Sequence, residues 1–153
     1  RLDVIVCASL VELTTNLGGL ARTSEIFGLR ELTVHSKRVV DDPLFRSLAV
    51  SADRHLPIRE VTRSDLPAWL RTMKREHQYS VVALEQTSAS VPLERLTAFP
   101  QKVILLLGKE REGIPADLLA AGDIVDLCIE IPQLGVTRSL NVHNSAVILI
   151  WEY

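Results

Sequence analysis

Three clusters of glycine and polar residues contain the side chains with which this chain of 153 residues could do chemistry. They occupy residues 16–22, 108–115 and 131–145, and each follows a run with the composition of a buried strand. Glycine lets a backbone come close to a ligand, whereas asparagine, serine, arginine and glutamate side chains can orient one through hydrogen bonds. The sequence therefore predicts that three distant segments could line one ligand site.

The third cluster connects a predicted strand to the last predicted helix. Pro132 ends the strand, because proline has no backbone N–H to donate, and Gly135 allows a sharp turn or a close approach to a ligand. Ser139 suits the N-cap of a helix that runs to Tyr153. A strand end, a glycine-containing loop and a helix start form the usual ligand crevice of an open α/β sheet. An ordinary strand-to-helix connection has the same pattern, so this cluster does not identify a site by itself.

Known signatures of nucleotide sites, metal sites and hydrolases do not fit the clusters. The first cluster has two adjacent glycines instead of the three spaced glycines of a dinucleotide fingerprint, and the second lacks the Lys and Ser/Thr of a P-loop. The histidines and cysteines show no metal-ligand spacing. Ser139 and His143 could share a helix face, but no G-x-S-x-G elbow accompanies them, which disfavours a serine hydrolase.

Apolar runs that alternate with amphipathic runs predict the elements that position the clusters. The strand runs are continuously apolar, which favours a mostly parallel six-stranded α/β sheet with helices on both faces. Loops after parallel strands share one edge, so the three clusters and the polar loop 85–90 could converge there. Residues 91–99 are expected to be irregular or a single turn. The expected strands are residues 2–10, 31–35, 57–61, 80–84, 102–107 and 124–131, and the expected helices are residues 17–27 capped by Asn16, 43–49 capped by Asp42, 65–76 capped by Ser64, 115–121, and 140–153.

Composition and charge favour one globular, intracellular domain. The chain is 47% hydrophobic and 24% charged, and its net charge of -2 argues against a nucleic-acid binder that works by bulk charge. Cys7 and Cys128 each lie in an apolar run, as reduced core thiols of a nuclear or cytoplasmic protein would. No apolar run reaches the roughly 18 residues of a membrane span. Because the first residue is Arg1 and a strand follows almost at once, we expect residues 1–153 to be a single domain of a longer protein.

Taken together, the clusters resemble the three motifs of the SpoU (TrmH-type) branch of the SPOUT methyltransferases. Residues 16–22, with the pattern Asn-x-Gly-x-x-x-Arg, are similar to the first motif, and residues 107–114 (LGKEREGI) resemble the second. Residues 131–145, with the pattern Ile-Pro-Gln-x-Gly-x-x-x-Ser-Leu-Asn-Val-x-x-Ser, resemble the third. The resemblance covers residues 2–153. Each motif alone is moderately specific, whereas all three in order, each at a strand end, form a specific combination.

This resemblance implies an activity, a fold and partners. The activity is transfer of a methyl group from S-adenosyl-L-methionine to a ribose 2′-hydroxyl of RNA, with S-adenosyl-L-homocysteine as product and the D-loop guanosine-18 of tRNA as the expected target. The fold is a SPOUT fold with a C-terminal deep trefoil knot, and the protein is a homodimer formed through its C-terminal helix region, without a metal or a membrane partner. Three alternatives remain: an RNA-binding and dimerisation module without catalysis, a SPOUT enzyme that methylates a base, and a generic nucleotide-binding domain.

The resemblance also implies which residues act. Arg22 is expected at the reacting ribose. A guanidinium keeps its proton at ordinary pH and is too weak a base, so Arg22 is expected to grip the neighbouring phosphate and to lower the pKa of the ribose hydroxyl. The base is then the phosphate or a water, with a deprotonated Arg22 as the alternative. The other expected catalytic residues are Asn16, Glu110, Ser139 and Asn141, and the cofactor's adenine and ribose are expected to be held by backbone groups near Leu84, Gly108, Ile131 and Leu140, together with Asn141.

Several of these residues also suit ordinary structural roles. Asn16, Ser139 and Asn141 could cap helices, and Glu110 could pair with a neighbouring cation on a solvated loop. His143 is expected to be packed or at an interface rather than catalytic. The last helix is apolar nearly all round, which favours burial in a dimer. Basic residues could form either a phosphate-contacting face or a normal mixed-charge surface; they are Arg22, Arg30, Lys37, Arg38, Arg46, Arg54, Arg111 and Arg138.

Overall fold

A seven-stranded parallel sheet forms the centre of the molecule in a computed structural model that describes all residues, 1–153. The strand order is β3-β2-β1-β6-β4-β7-β5, and every pairing between neighbours is parallel. The strands are β1 (Leu2–Cys7), β2 (Leu29–Val34), β3 (Ile58–Glu60), β4 (Ser80–Leu84), β5 (Val91–Pro92), β6 (Val103–Leu106) and β7 (Leu127–Glu130).

Five α-helices cover both faces of this sheet. They are α1 (Thr14–Ile26), α2 (Pro43–Ala49), α3 (Leu66–His77), α4 (Ala116–Ala120) and α5 (Val142–Glu152). One buried cluster contains apolar residues of α1, α2 and α5, and the other contains those of α3 and α4. Successive residues of β6 alternate between the two clusters, with Leu105 in the first and Ile104 in the second. Burial on both faces explains the continuously apolar strand runs, which are typical of parallel sheets.

The central strands end at the same level, and this brings their following loops together. Cys7 of β1 and Ala83 of β4 both pair with Leu106 of β6, while Leu84 pairs with Ile129 of β7. The loops after these four strands therefore lie at one edge of the sheet, where ligands bind in open α/β folds. The predicted class, a parallel α/β sheet covered by helices on both faces, is confirmed.

The predicted number of six strands is wrong, because the structure has seven. The additional strand, β5, lies within residues 91–99, which were expected to be irregular or a single turn, and it pairs with β7. A single 3-10 turn, Leu93–Arg95, follows it. It has two residues, one of them Pro92, so it offers no hydrophobic periodicity, and its position at the edge of the sheet tolerates proline. The first and last predicted strands are also too long: β1 ends at Cys7 and β7 begins at Leu127.

Three helix caps differ from the prediction. Asn16 lies inside the first turn of α1, and Leu13 occupies the N-cap position without a side-chain bond. Ser64 does not cap α3, which begins at Leu66. Ser139 precedes α5 with a φ of 52°, whereas an N-cap residue has extended backbone, and Asn141 is the cap. The predicted cap of α2 is confirmed, since the Asp42 carboxylate accepts from the backbone N–H of Leu44.

The cysteines and the helices add two further observations. Both cysteines are free; Cys7 is buried, whereas Cys128 is only partly buried. None of the helices combines the length and the hydropathy that a membrane crossing requires.

Candidate functional site

A cavity of about 320 Å³, which we call the central cavity, opens beside the ends of β4 and β6. All three sequence clusters contribute to its walls. Arg22 and Ile131 are the two predicted site residues that do not line it. The other seven do: Asn16, Leu84, Gly108, Glu110, Ser139, Leu140 and Asn141. Segments more than 120 residues apart thus meet at one place, because Asn16 and Asn141 are hydrogen-bonded directly.

The two remaining predicted residues lie in adjoining depressions. Arg22 lines an outer cavity of about 580 Å³, which shares Asn16 and Asn141 with the central cavity. Ile131 lines a side pocket of about 100 Å³, which shares Leu84 and Leu140 with it. The Asn16–Asn141 pair therefore forms a partition between the central cavity and the outer cavity that holds Arg22.

Glu110, Asn16 and Asn141 form a directional chain of hydrogen bonds, which we call the amide relay. Asn16 donates from Nδ2 to Glu110 Oε1 over 3.2 Å, and Asn141 donates from Nδ2 to Asn16 Oδ1 over 3.0 Å. Asn141 Oδ1 accepts in turn from the backbone N–H of Asn144 over 3.1 Å, as the N-cap of α5. Because a carboxylate can only accept, the relay fixes the orientation of both amides.

Glu110 is anchored to the start of α1 instead of forming a surface ion pair. Its carboxylate accepts from the backbone N–H of Leu13 at 2.8 Å and from that of Glu12 at 3.1 Å. Burial would raise the pKa of Glu110, but these backbone bonds, a bond from its own N–H and the bond from Asn16 outweigh it, so the pKa lies below its usual range. An anion at a helix N-terminus is also favoured by the helix dipole. The suggested pairing of Glu110 with Lys109 or Arg111 is wrong, since Lys109 pairs with Glu12 and Glu112.

The two glycines of the first cluster allow helices to pack closely. A Cβ on Gly18 would lie 2.8 Å from Leu48 Cβ of α2 and 3.1 Å from a backbone oxygen of the same helix. A Cβ on Gly19 would lie 2.5 Å from His143 Nδ1 of α5. The distances of 2.8 and 2.5 Å are too short for real contacts, so a side chain at either position would push α2 or α5 away from α1. Close approach to a ligand is therefore not needed to explain them.

His143 is packed between α5 and α1, as the sequence suggests. Its Nε2 is 2.9 Å from Thr23 Oγ1, and the ring covers Gly19. Burial lowers the pKa of His143, so the imidazole is neutral near pH 7. The ring also lines the outer cavity.

The second cluster folds into a tight turn over residues 108–114. Lys109 and Gly113 exchange two backbone hydrogen bonds of 3.0 and 2.8 Å. A Cβ on Gly108 would lie 2.6 Å from the carbonyl carbon of Gly113, so only glycine permits this closure. Gly113 has a φ of 71°, a left-handed conformation that favours glycine.

Glu85 is a cavity residue that the sequence did not indicate individually. Its carboxylate accepts from the backbone N–H of Ile114 at 2.9 Å and so contacts the turn 108–114. The only signal for it is its place directly after β4, at the start of the polar loop 85–90. No motif pairs this position with the turn.

Unpaired cations lie around the cavities. Arg22 is exposed and makes no hydrogen bond or ion pair within the chain. Arg111 and Arg138, also unpaired, line a groove of about 560 Å³ that shares Glu110 and Ser139 with the central cavity. Of the predicted basic residues, Arg30 and Arg46 are instead neutralised by aspartates, and the others without an ion pair are Lys37, Arg38 and Arg54.

The loop 133–141 forms the remaining wall of the central cavity. All nine of its residues are exposed, and the side chains of Leu134 and Val136 are fully so. It still supplies Ser139, Leu140 and Asn141 to the cavity. No group of three or more potential metal ligands occurs in the structure.

Comparisons with known proteins identify similar sequences. The model of the SpoU rRNA Methylase family matches residues 3–151. The mouse tRNA (guanosine(18)-2′-O)-methyltransferase TARBP1 is 51% identical over 150 residues, which are 98% of this chain and 9% of that protein. The tRNA (guanosine(18)-2′-O)-methyltransferase of Saccharomyces cerevisiae is 39% identical over 153 residues, which are 100% of this chain and 10% of that protein. The chain thus spans about a tenth of the length of these relatives.

Solved structures have a similar fold. The AdoMet-bound rRNA methyltransferase from Sinorhizobium meliloti superposes with a TM-score of 0.79 at 23% identity, over 97% of this chain and 54% of that one. The A. aeolicus TrmH/SpoU tRNA modifying enzyme has a TM-score of 0.79 at 22% identity, over 99% of this chain and 74% of that one. At these identities the likeness concerns the fold alone.

Proposed function

Because the chain belongs to the SpoU rRNA methylase family, we propose that it transfers a methyl group from S-adenosylmethionine to the ribose 2′-hydroxyl of guanosine-18 in tRNA. The observation that carries this proposal is the convergence of the three sequence clusters on the central cavity. Identities of 51% and 39% to two tRNA guanosine-18 methyltransferases support the choice of substrate.

The central cavity suits S-adenosylmethionine in size and lining. Its volume of about 320 Å³ lies within the usual range of small-molecule sites. Leu84, Gly108 and Leu140 would hold the adenine and ribose through backbone groups, with Ile131 in the adjoining side pocket. Backbone groups recognise hydrogen-bonding edges without carrying charge, which fits a neutral adenine. When bound, this cofactor supplies an activated methyl group.

Arg22 and the amide relay would then prepare the ribose. Arg22 is exposed and unpaired in the outer cavity, so its guanidinium is available to grip the phosphate beside the target nucleotide. Asn16 and Asn141 stand between this nucleotide and the central cavity with fixed amide orientations, so they would align the 2′-oxygen. Ser139 lies on the same wall. The hydroxyl proton would pass to the phosphate or to a water, because a protonated guanidinium cannot accept it.

The sheet order supports a deep trefoil knot, which we include in the proposal. The connection from β4 to β5 passes over the position between them, and β7, which is formed later in the chain, fills that position. The segment after β7 then returns to pack α5 against α1. A knot requires in addition that β7 and α5 pass through the loop that this connection forms, and we propose that they do.

A homodimer through the α5 region is the second structural part of the proposal. Three large apolar side chains of α1 and α5 are exposed: Ile26 at 68%, Ile148 at 39% and Trp151 at 73%. Trp151 packs edge-on against Phe27, which joins the two helix ends into one surface. An exposed apolar patch of this kind favours association with a partner.

Nucleoside analysis of tRNA after incubation with the chain and S-adenosylmethionine tests the proposed reaction. The expected product is 2′-O-methylguanosine at position 18, and a tRNA with deoxyguanosine at that position should receive no methyl group. A methylated base would identify a base methyltransferase. RNA binding with neither methyl transfer nor cofactor binding would identify a non-catalytic module.

A further inference from the structure

Glu85 links the end of β4 to the turn 108–114 that follows β6. Its Oε2 accepts from the backbone N–H of Ile114 over 2.9 Å, and its Oε1 accepts from its neighbour Gln86 over 3.2 Å. The same Oε2 covers Gly113 so closely that a Cβ there would lie 2.2 Å from it. Glu85 is partly buried and lines both the central cavity and the side pocket.

The turn 108–114 is fastened to the molecule on two sides. On the side of α1, Glu110 bonds the backbone of Glu12 and Leu13, and Lys109 pairs with Glu12. On the side of β4, the bond from Ile114 to Glu85 is the side-chain fastening. Because the turn provides Gly108 to the cavity wall, its position relative to β4 determines the shape of that wall.

The chemistry at this position requires a carboxylate. Two backbone N–H groups, those of Ile114 and Gln86, point at the two oxygens of one side chain. A carboxylate accepts at both oxygens, whereas a glutamine would turn its NH₂ group toward one of the two donors. Glu85→Gln should therefore keep one bond and lose the other.

We infer that Glu85 is a positioning residue, which fixes the turn 108–114 so that its backbone is preorganised for S-adenosylmethionine. This inference rests on the proposed function of the central cavity. If the wall is already ordered in the free protein, less free energy is lost in ordering it on binding. Glu85 should therefore affect cofactor affinity and not the rate of the chemical step.

The Glu85→Ala variant tests this inference by two measurements. Calorimetry with S-adenosylhomocysteine should give a Kd raised roughly tenfold, because binding must then order the turn that Glu85 no longer holds. The kcat at saturating cofactor should stay within about threefold of the wild type, because Glu110 remains anchored to the start of α1 by its own hydrogen bonds. Glu112→Ala, which removes an exposed carboxylate of the same turn, is the matched control and should leave Kd unchanged.

Amide hydrogen exchange tests the contact without any cofactor. The N–H of Ile114 should exchange faster in Glu85→Ala than in the wild type, with an intermediate rate in Glu85→Gln. If the alanine variant does not fold, the glutamine variant carries the same test. Gly113→Ala should also weaken S-adenosylhomocysteine binding, because its Cβ would collide with the Glu85 carboxylate. In the double variant with Glu85→Ala this collision is absent, so the loss of binding free energy should be smaller than the sum for the two single variants.

The outcomes separate this inference from the proposed function. A wild-type chain that binds no S-adenosylhomocysteine would overturn the proposed function, and Ile114 exchange would still report whether Glu85 holds the turn. Normal Kd and normal Ile114 protection in Glu85→Ala, or a loss of kcat with unchanged Kd, would overturn the positioning role.

Discussion

Asn16 and Asn141 each use one amide oxygen and one amide nitrogen within the amide relay, which leaves a second hydrogen and a second lone pair on each for a ligand. Their side chains are held by Glu110 at one end and by the backbone of α5 at the other. Arg22, in contrast, is held by nothing in the chain. At the scale of residues, the site thus combines two fixed amides with one free cation.

Arg22→Ala should abolish methyl transfer and leave cofactor binding near normal. The side chain lines the outer cavity and makes no bond that supports the central cavity. We expect transfer to tRNA to fall by at least about a hundredfold, since a positioning contact to phosphate is lost. The Kd for S-adenosylhomocysteine should change by less than about twofold. Arg38→Ala, which removes another unpaired arginine, is the control for the loss of one positive charge. Lost cofactor binding would show that Arg22 has a different role.

Glu110 should make stability depend on pH in the acid range. Its pKa is lowered in the folded chain, so its contribution is fully present above the unfolded value of about 4.3 and is lost as pH falls through the lower folded value. The difference in urea stability between wild type and Glu110→Gln should therefore be constant at neutral pH and should shrink as the pH falls below about 4.3. Other carboxylates with lowered pKa, Glu12 and Asp123, are present in both proteins and cancel. A difference that does not shrink in acid would contradict the assignment.

At the scale of elements, α1 is the support on which the site is built. Its N-terminus holds Glu110, its first turn supplies Asn16, and its middle receives α2 at Gly18 and α5 at Gly19. The glycines therefore bring Asn141, at the start of α5, within hydrogen-bond distance of Asn16. Helix packing and site geometry depend on the same contacts.

The effect of Gly19→Ala on the free energy of unfolding should change sign when His143 is replaced by alanine. In the wild type the new Cβ would collide with the ring of His143, and overpacking of this kind typically costs about 1–3 kcal/mol of unfolding free energy. In a His143→Ala background the collision is absent, so the better helix propensity of alanine should stabilise the chain by about 1 kcal/mol. Urea unfolding of the wild type, the two single variants and the double variant, which form a double-mutant cycle, measures both effects.

The single variant His143→Ala provides a control for function in the same cycle. Its neutral imidazole bonds Thr23 and packs on Gly19, so its loss should lower stability and leave the transfer rate within about threefold. An inactive but folded His143→Ala protein would show that the ring contributes to the reaction. Equal effects of Gly19→Ala in both backgrounds would show that the ring moves aside without cost.

The sequence predicts the gathering of the clusters well, because each motif specifies residue types and the strand that precedes them. It predicts helix starts less well. Asn16 and Ser139 have the composition of caps, but Asn16 turns its amide toward Glu110, and Ser139 adopts a left-handed backbone. Glu85 could not be predicted, because its partner is a backbone N–H 29 residues away. Every residue type except proline has this group, so the sequence does not show which one is the partner.

At the scale of the whole molecule, an apolar surface remains uncovered. Leu149 and Ile150 of α5 are buried against the chain's own core, while Ile148 and Trp151 face outward, so the helix is apolar on both sides. A single copy of the chain uses only one of these sides. The other side adjoins the outer cavity through Ile26, which lines that cavity.

Trp151→Glu should convert the proposed dimer to a monomer. A charge at the centre of an apolar interface is costly to bury, while Trp151 is 73% exposed in the single chain and contributes little to its core. Sedimentation should show a dimer for the wild type and a monomer for the variant, with similar circular dichroism. Leu44→Glu, at an exposed apolar position of α2, is the control and should remain dimeric. A monomeric wild type would contradict the proposed assembly.

The exposed loop 133–141 should also make the native chain a substrate for trypsin. Trypsin cuts after arginine in exposed segments, and Arg138 lies in the middle of this loop with an unpaired side chain. One cut there would separate Ser139 and Leu140 from β7 and so open the wall of the central cavity. S-adenosylhomocysteine bound against that wall should slow the cut, so that the rate of nicking at Arg138 measures occupancy of the site without any tRNA.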